Sequence, residues 1–138
     1  MEKLNLNNQV ITLCGSTKYK LHYQLVNTWL TLNDNIVISV SCFGHTDKLP
    51  FQENEKELLD KVHKDKIYIS DTIFVIDPNK YVGHSTLSEI GYAENHKRNI
   101  FYLSEYYKDF MNWVGDKVNL GWWSNIDVFS ELSKEKNQ

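Results

Sequence analysis

Four short apolar segments rich in β-branched residues alternate with segments whose apolar residues recur at helical spacing, and this alternation restricts the fold more than anything else in the chain. "QVITLC", Gln9 to Cys14, stops at Gly15 and reads as a buried strand followed by a turn. Tyr19 to Asn33 then carries Leu21, Leu25, Trp29 and Leu32 along one helical stripe. "NIVISVSCF", Asn35 to Phe43, returns to strand character, and the polar "GHTDKLPFQENE" with Gly44 and Pro50 reads as loop. A helix is expected from Glu53 to Ile69 with Leu58, Leu59, Val62 and Ile69 inward. The strand "TIFVI", Thr72 to Ile76, follows it and ends at the turn signal "DPN". A third helix at about Thr86 to Lys97 and a fourth strand, "NIFYL", complete the series. Strands alternating with helices in this way favour an α/β fold with a mainly parallel sheet covered on both faces.

The 138 residues show no internal repeat or low-complexity linker and read as one domain, 1–138, with 104–138 an aromatic-rich C-terminal extension. That extension holds three of the four tryptophans, Trp113, Trp122 and Trp123. It is expected to form a last helix and turn packed on the domain; the alternative is a subunit contact or ligand lid. A net charge of −3, with Arg98 the sole arginine, argues against a polynucleotide partner and leaves room for a small anionic ligand. Cys14 and Cys42 lie in apolar, strand-like surroundings and read as two buried structural thiols, which suits a cytoplasmic protein. "MEKLNLNNQ" has no signal-peptide apolar region, and no apolar run is long enough to span a bilayer, so no membrane association is expected.

In an open parallel sheet, ligands bind beyond the carboxyl ends of the strands, and two loops qualify here. "GSTK" after the first strand offers close backbone approach at Gly15, hydroxyls at Ser16 and Thr17, positive charge at Lys18, and the amides of a helix start: a cradle suited to phosphate. The same loop could be an ordinary helix start capped by Ser16 or Thr17. Neither G-x-G-x-x-G nor G-x-x-x-x-G-K-[ST] is present.

The second loop is "GHSTLSE". Thr86 and Glu89 stand in the S/T-x-x-E relation of a capping box, which would make Glu89 a helix-start carboxylate bonded back to an amide. A catalytic Glu89 is the other reading. Leu87 and Ile90 would face the sheet, Gly91, at a cost of about 1 kcal/mol to a helix, would mark close packing, and Glu89 would look into the space that "GSTK" borders. "GHS" is similar to the start of the G-x-S-x-G elbow of serine hydrolases, but Leu87 stands where the closing glycine belongs.

Taken in order, a first strand ending in "CGS", a long helix, a helix ending in "SD" before an apolar strand, a small-residue loop, a glutamate and then "GYA" resemble the nucleoside 2-deoxyribosyltransferase superfamily, which includes deoxynucleoside 5'-monophosphate N-glycosidases. The resemblance spans roughly Val10 to Leu103. It implies a Rossmann-like (flavodoxin-like) domain, assembly as a homodimer or larger homo-oligomer, and neither cofactor nor metal. It also implies that Glu89 attacks the anomeric carbon of the sugar, expelling the base, after which water or a second base completes a retaining double displacement. Gly15, Ser16, Thr17, Lys18, Gly83 and Ser85 would then hold the sugar and 5'-phosphate.

The match has departures. His63 stands where many members carry an aspartate that positions the sugar and nucleophile, so His63 becomes a second catalytic candidate, as a hydrogen-bond donor or as an acid near pH 7. Gly83 stands where transferases acting on free nucleosides place an acidic residue, which favours a phosphorylated substrate. Asp71 matches a family aspartate and is expected near the substrate loops, with a structural role the more natural one, while His45 in "FGHTDK" is a candidate contact to the base. The expected ligand is a small nucleoside or nucleotide, cleaved or transferred at its N-glycosidic bond. The alternatives are a non-catalytic pocket that senses a nucleotide derivative and a glycohydrolase acting on a dinucleotide such as NAD.

Overall fold

The computed structural model describes residues 3–138. The elements run β1 (Val10–Gly15), α1 (Lys20–Leu32), β2 (Ile36–Ile38), α2 (Gly44–Asp47), α3 (Glu53–Tyr68), β3 (Thr72–Ile76), α4 (His84–Asn95), β4 (Asn99–Tyr102), a 3-10 turn (Leu103–Glu105), α5 (Tyr107–Asn119) and α6 (Val128–Lys136). The strands form one all-parallel sheet in the order β2-β1-β3-β4, so the fold is α/β of the Rossmann or flavodoxin-like kind. No helix among the described residues is long and apolar enough to cross a membrane.

Alternation along the strands sorts the core into two layers. Ile11, Leu13, Phe74 and Ile76 point to one face and meet Tyr23, Val26, Leu30, Phe110 and Leu132 of the α1, α5 and α6 layer. On the other face Cys14, Ile73 and Val75 meet Ile67 of α3 with Ile90 and Ala93 of α4. Residues 104–138 thus pack on the domain as expected, although with two helices rather than one.

Three sequence expectations change. Strand character from Asn35 to Phe43 reduces to the three residues of β2, and the loop after it holds the short helix α2. On α3 the inward residues are His63 and Ile67, whereas Leu58 and Ile69 are 60% and 67% exposed and Val62 is also exposed. The cause is polar: the Thr12 and Ser70 hydroxyls lie 2.7 Å apart, Thr12 Oγ1 donates to the Lys66 carbonyl, and Lys66 Nζ donates to the Ser39 carbonyl (2.9 Å), which together fix the helix's rotation. Finally, α4 begins at His84 with Gly83 as N-cap, so Thr86 is a buried first-turn residue and Glu89 lies in the second turn; they form no capping box. Among the described residues a capping box stands instead at Gln52 and Glu55, at the start of α3.

Candidate functional site

The order β2-β1-β3-β4 reverses direction between β1 and β3, and the loops leaving these two strands diverge to opposite faces of the sheet, opening a crevice there. A cavity of about 590 Å³ occupies it, walled by the β1 and β3 loops, α2 and the start of α3. Gly15 ends β1 opposite Ile76 with a φ of +139°; a Cβ there would stand 2.7 Å from the Ile76 carbonyl oxygen, so only glycine lets the two strand ends approach. Tyr23, buried beneath, donates to the Gly15 carbonyl at 2.7 Å and holds this end of the sheet from the α1 side.

Glu89 and His63 border the cavity, and the fully buried Cys14 meets them from behind, so three different elements bring these side chains together. The period of two in β1 puts Cys14 on the face that α3 and α4 cover, and His63 and Glu89 descend on it from those helices. Cys14 Sγ lies 3.5 Å from His63 Nε2, and His63 Nε2 lies 3.8 Å from Glu89 Oε1. Burial is the first cause of each electrostatic shift. It pushes the Glu89 carboxyl up to about 7, a rise that a hydrogen bond from the Cys14 thiol opposes. It pulls His63 down to about 4, helped by the Lys66 ammonium, and raises the Cys14 thiol well above its ordinary range. At neutral pH the His63 imidazole is therefore uncharged, and its approach to Glu89 is not an ion pair. As a cluster of two nitrogen or sulfur donors and one carboxylate, the three side chains could also hold a metal ion.

The cavity gathers most of the expected site residues. Gly15, Ser16, Thr17, His45, His63, Gly83, Ser85 and Glu89 all border it. Thr17, however, is engaged in bracing α2: its Oγ1 accepts from the His45 amide and its carbonyl accepts from Thr46 Oγ1 at 2.7 Å. Lys18 does not border the cavity; its ammonium lies over the rings of Tyr81 (4.5 Å) and Tyr19 (5.2 Å). Asp71 lies at the opposite, amino-terminal edge of β3, where its Oδ2 accepts from the Val10 amide at 2.8 Å, so it has the structural role and no place among the substrate loops.

The two helix starts also exchange roles relative to expectation. Neither Ser16 nor Thr17 caps α1; Tyr19 holds that position. The Leu21 and His22 amides donate to the Glu135 carboxylate of α6 at 2.9 and 2.7 Å, which leaves a negative charge at the helix start proposed for phosphate. α4 has no side-chain cap, and His84, Ser85 and Thr86 of its first turn border the cavity, so this helix start, rather than that of α1, is the one left open toward the cavity.

Three features differ from their sequence reading and a fourth, Asn79, had none. Cys14 is a member of the polar cluster rather than an inert core thiol, and Cys42 is half-buried on the cavity wall rather than buried. Asn79 links the two loops, its Oδ1 accepting from the Tyr19 hydroxyl at 2.9 Å and from the Tyr81 amide at 3.1 Å. Gly91 has open space where a Cβ would stand, so no close packing explains it. Of these, Cys14 alone had a signal, since strand alternation puts it with Thr12 on the side of α3. No family model, curated protein or solved structure matches this chain.

Proposed function

We propose that this protein cleaves or transfers at the N-glycosidic bond of a nucleoside or nucleoside 5'-monophosphate, with Glu89 as the nucleophile. The observation that carries the reading is the placement of Glu89: a carboxylate from the second turn of α4 reaches the floor of a cavity at the strand-order reversal, beside His63 and below the uncapped start of its own helix. That start would receive the anionic end of the ligand, with Ser85 donating its hydroxyl. A Glu89 oxygen would then bond to the anomeric carbon as the C–N bond breaks and the electron pair leaves with the base. Attack by water, or by the nitrogen of a second base, would restore the carboxylate. His63, neutral at the pH of interest, would position Glu89 rather than deliver a proton. Assembly as a homo-oligomer, in the cytoplasm, is part of the same proposal.

A binding-only pocket is the second reading, and the raised Glu89 carboxyl favours it, because a partly protonated acid can donate to a ligand without attacking it. Incubation with deoxynucleoside monophosphates, nucleosides and NAD, followed by chromatography for free base, separates the two. Base release by the wild type and none by Glu89→Gln supports the enzyme; binding without release by both proteins supports the sensor. Release of nicotinamide alone would move the substrate to the dinucleotide.

A further inference from the structure

Cys14, His63 and Glu89 offer one donor atom each, sulfur, nitrogen and oxygen, and these atoms all lie within 4.8 Å of one another. Bonds of about 2.3 Å to sulfur and about 2.0 Å to nitrogen and oxygen put the donors of a tetrahedral zinc ion roughly 3.3–3.6 Å apart. The observed 3.5 Å from Sγ to Nε2 already meets that spacing, and the 3.8 Å from Nε2 to Oε1 closes with a small turn of the Glu89 side chain. We propose that these three side chains form a site for one zinc-class divalent ion, open to the cavity at its fourth position.

The donor set is the borderline-soft mixture that selects zinc and cobalt over magnesium or calcium. The ligands are also pre-positioned, because each comes from a different element of the α3, α4 and β1 layer and two of them are buried in it. His63 and Glu89 border the cavity, so the ion's remaining position would face it, as in zinc sites that bind water or a ligand rather than purely structural ones. Binding exchanges the Cys14 thiol proton for the ion, with Glu89 entering as the carboxylate. A Glu89 oxygen bonded to the ion cannot attack a sugar, so the ion and the glycosidic step would compete for one side chain. The site itself does not depend on that step.

Cobalt(II) titration of the reduced, chelator-treated full chain tests the proposal, since its absorption reports ligand type regardless of whether base is released. The expected result is saturation at one ion per chain, a near-ultraviolet thiolate-to-cobalt charge-transfer band, visible bands of four-coordinate intensity, and displacement by zinc. Cys14→Ser abolishes the charge-transfer band, while His63→Ala and Glu89→Gln each weaken binding tenfold or more with the circular dichroism spectrum unchanged. Absence of the band in the wild type, or a band that survives Cys14→Ser and follows Cys42 instead, would overturn the proposal. Should Cys14→Ser fail to fold, Glu89→Gln carries the test: cobalt binding as tight as in the wild type overturns the site.

Discussion

Glu89 and His63 pull the stability of the protein in opposite directions with pH. The Glu89 carboxyl titrates near 7 in the folded chain against 4.5 unfolded, so the native state holds the extra proton between those values and loses stability as pH rises through them. His63 titrates near 4 against 6.5 unfolded, so the native state holds fewer protons and gains stability as pH rises from about 4 to 6.5. In the wild type the two trends largely cancel. Glu89→Gln removes one of them, so urea melts should show the variant gaining stability from pH 4 to 6.5, and exceeding the wild type at pH 8 by up to roughly 3 kcal/mol. A parallel pH dependence in both proteins would contradict the burial of Glu89. The same shift sets the rate: if the ionised carboxylate is the attacking group, kcat/KM for base release should rise with pH about a midpoint near 7. Gly15→Ala puts a methyl group against the Ile76 carbonyl at a positive φ and should cost about 2–4 kcal/mol in thermal melts. Gly15, Ser85 and Glu89 could be picked out in the sequence because loops after strands attract function. For Cys14, strand alternation gave only the face it lies on; its place in a polar cluster was hidden, because a cysteine in "VITLC" looks like one more apolar residue until the α3 and α4 side chains opposite it are known. Lys18 misled for a related reason: its charge suits a phosphate, but the faces of Tyr81 and Tyr19 hold it.

Helix α1 depends on a residue more than a hundred positions away. The Glu135 carboxylate accepts from the Leu21 and His22 amides and from His22 Nδ1 at 2.7 Å, while His22 Nε2 meets the Tyr107 hydroxyl at 2.9 Å. One side chain thereby caps α1, holds a fully buried histidine and ties α6 to α1. Glu135→Ala leaves two helix-start amides and an imidazole without their acceptor, which predicts a loss of about 2–4 kcal/mol. A thermal melt within 1–2 °C of the wild type would show that the contact carries little. The aromatic tail announced in the sequence that it packs against something, and Phe110, Val114 and Leu132 show how. Its cap was not legible, since a glutamate near the end of a charged helix looks the same whether it faces water or a distant helix start. α3 failed for the complementary reason. Apolar periodicity selected Leu58, Val62 and Ile69, but the hydroxyl of Thr12 and the backbone of Lys66 set the orientation of the helix.

The alternation of strands and helices sufficed to predict a parallel sheet, because parallel neighbours need crossovers and the helical stripes supply them. Strand order was not legible, as the apolar runs of β1 and β3 are interchangeable by composition. That order decides where the crevice opens, and it brings Gly15 beside Ile76 and Cys14 beside Val75. In the proposed function, the carboxyl ends of β1 and β3 hold the site, and the start of α4 rather than that of α1 would receive the anion. Ser85→Ala should weaken a monophosphate about tenfold while changing the affinity for the matching nucleoside little, and Lys18→Ala should leave both nearly unaltered; isothermal titration of the two ligands checks both. The central claim is that Glu89 forms a bond to the sugar, and intact-mass spectrometry with a 2'-fluorinated deoxynucleoside monophosphate tests it most directly. Fluorine at C2 destabilises the cation-like transition states and allows a glycosyl-enzyme to accumulate. The account predicts a mass gain of one fluorinated sugar phosphate, mapped to the peptide that contains Glu89 and lost in Glu89→Gln. Base release by Glu89→Gln at the wild-type rate, or an adduct on another residue, would contradict it.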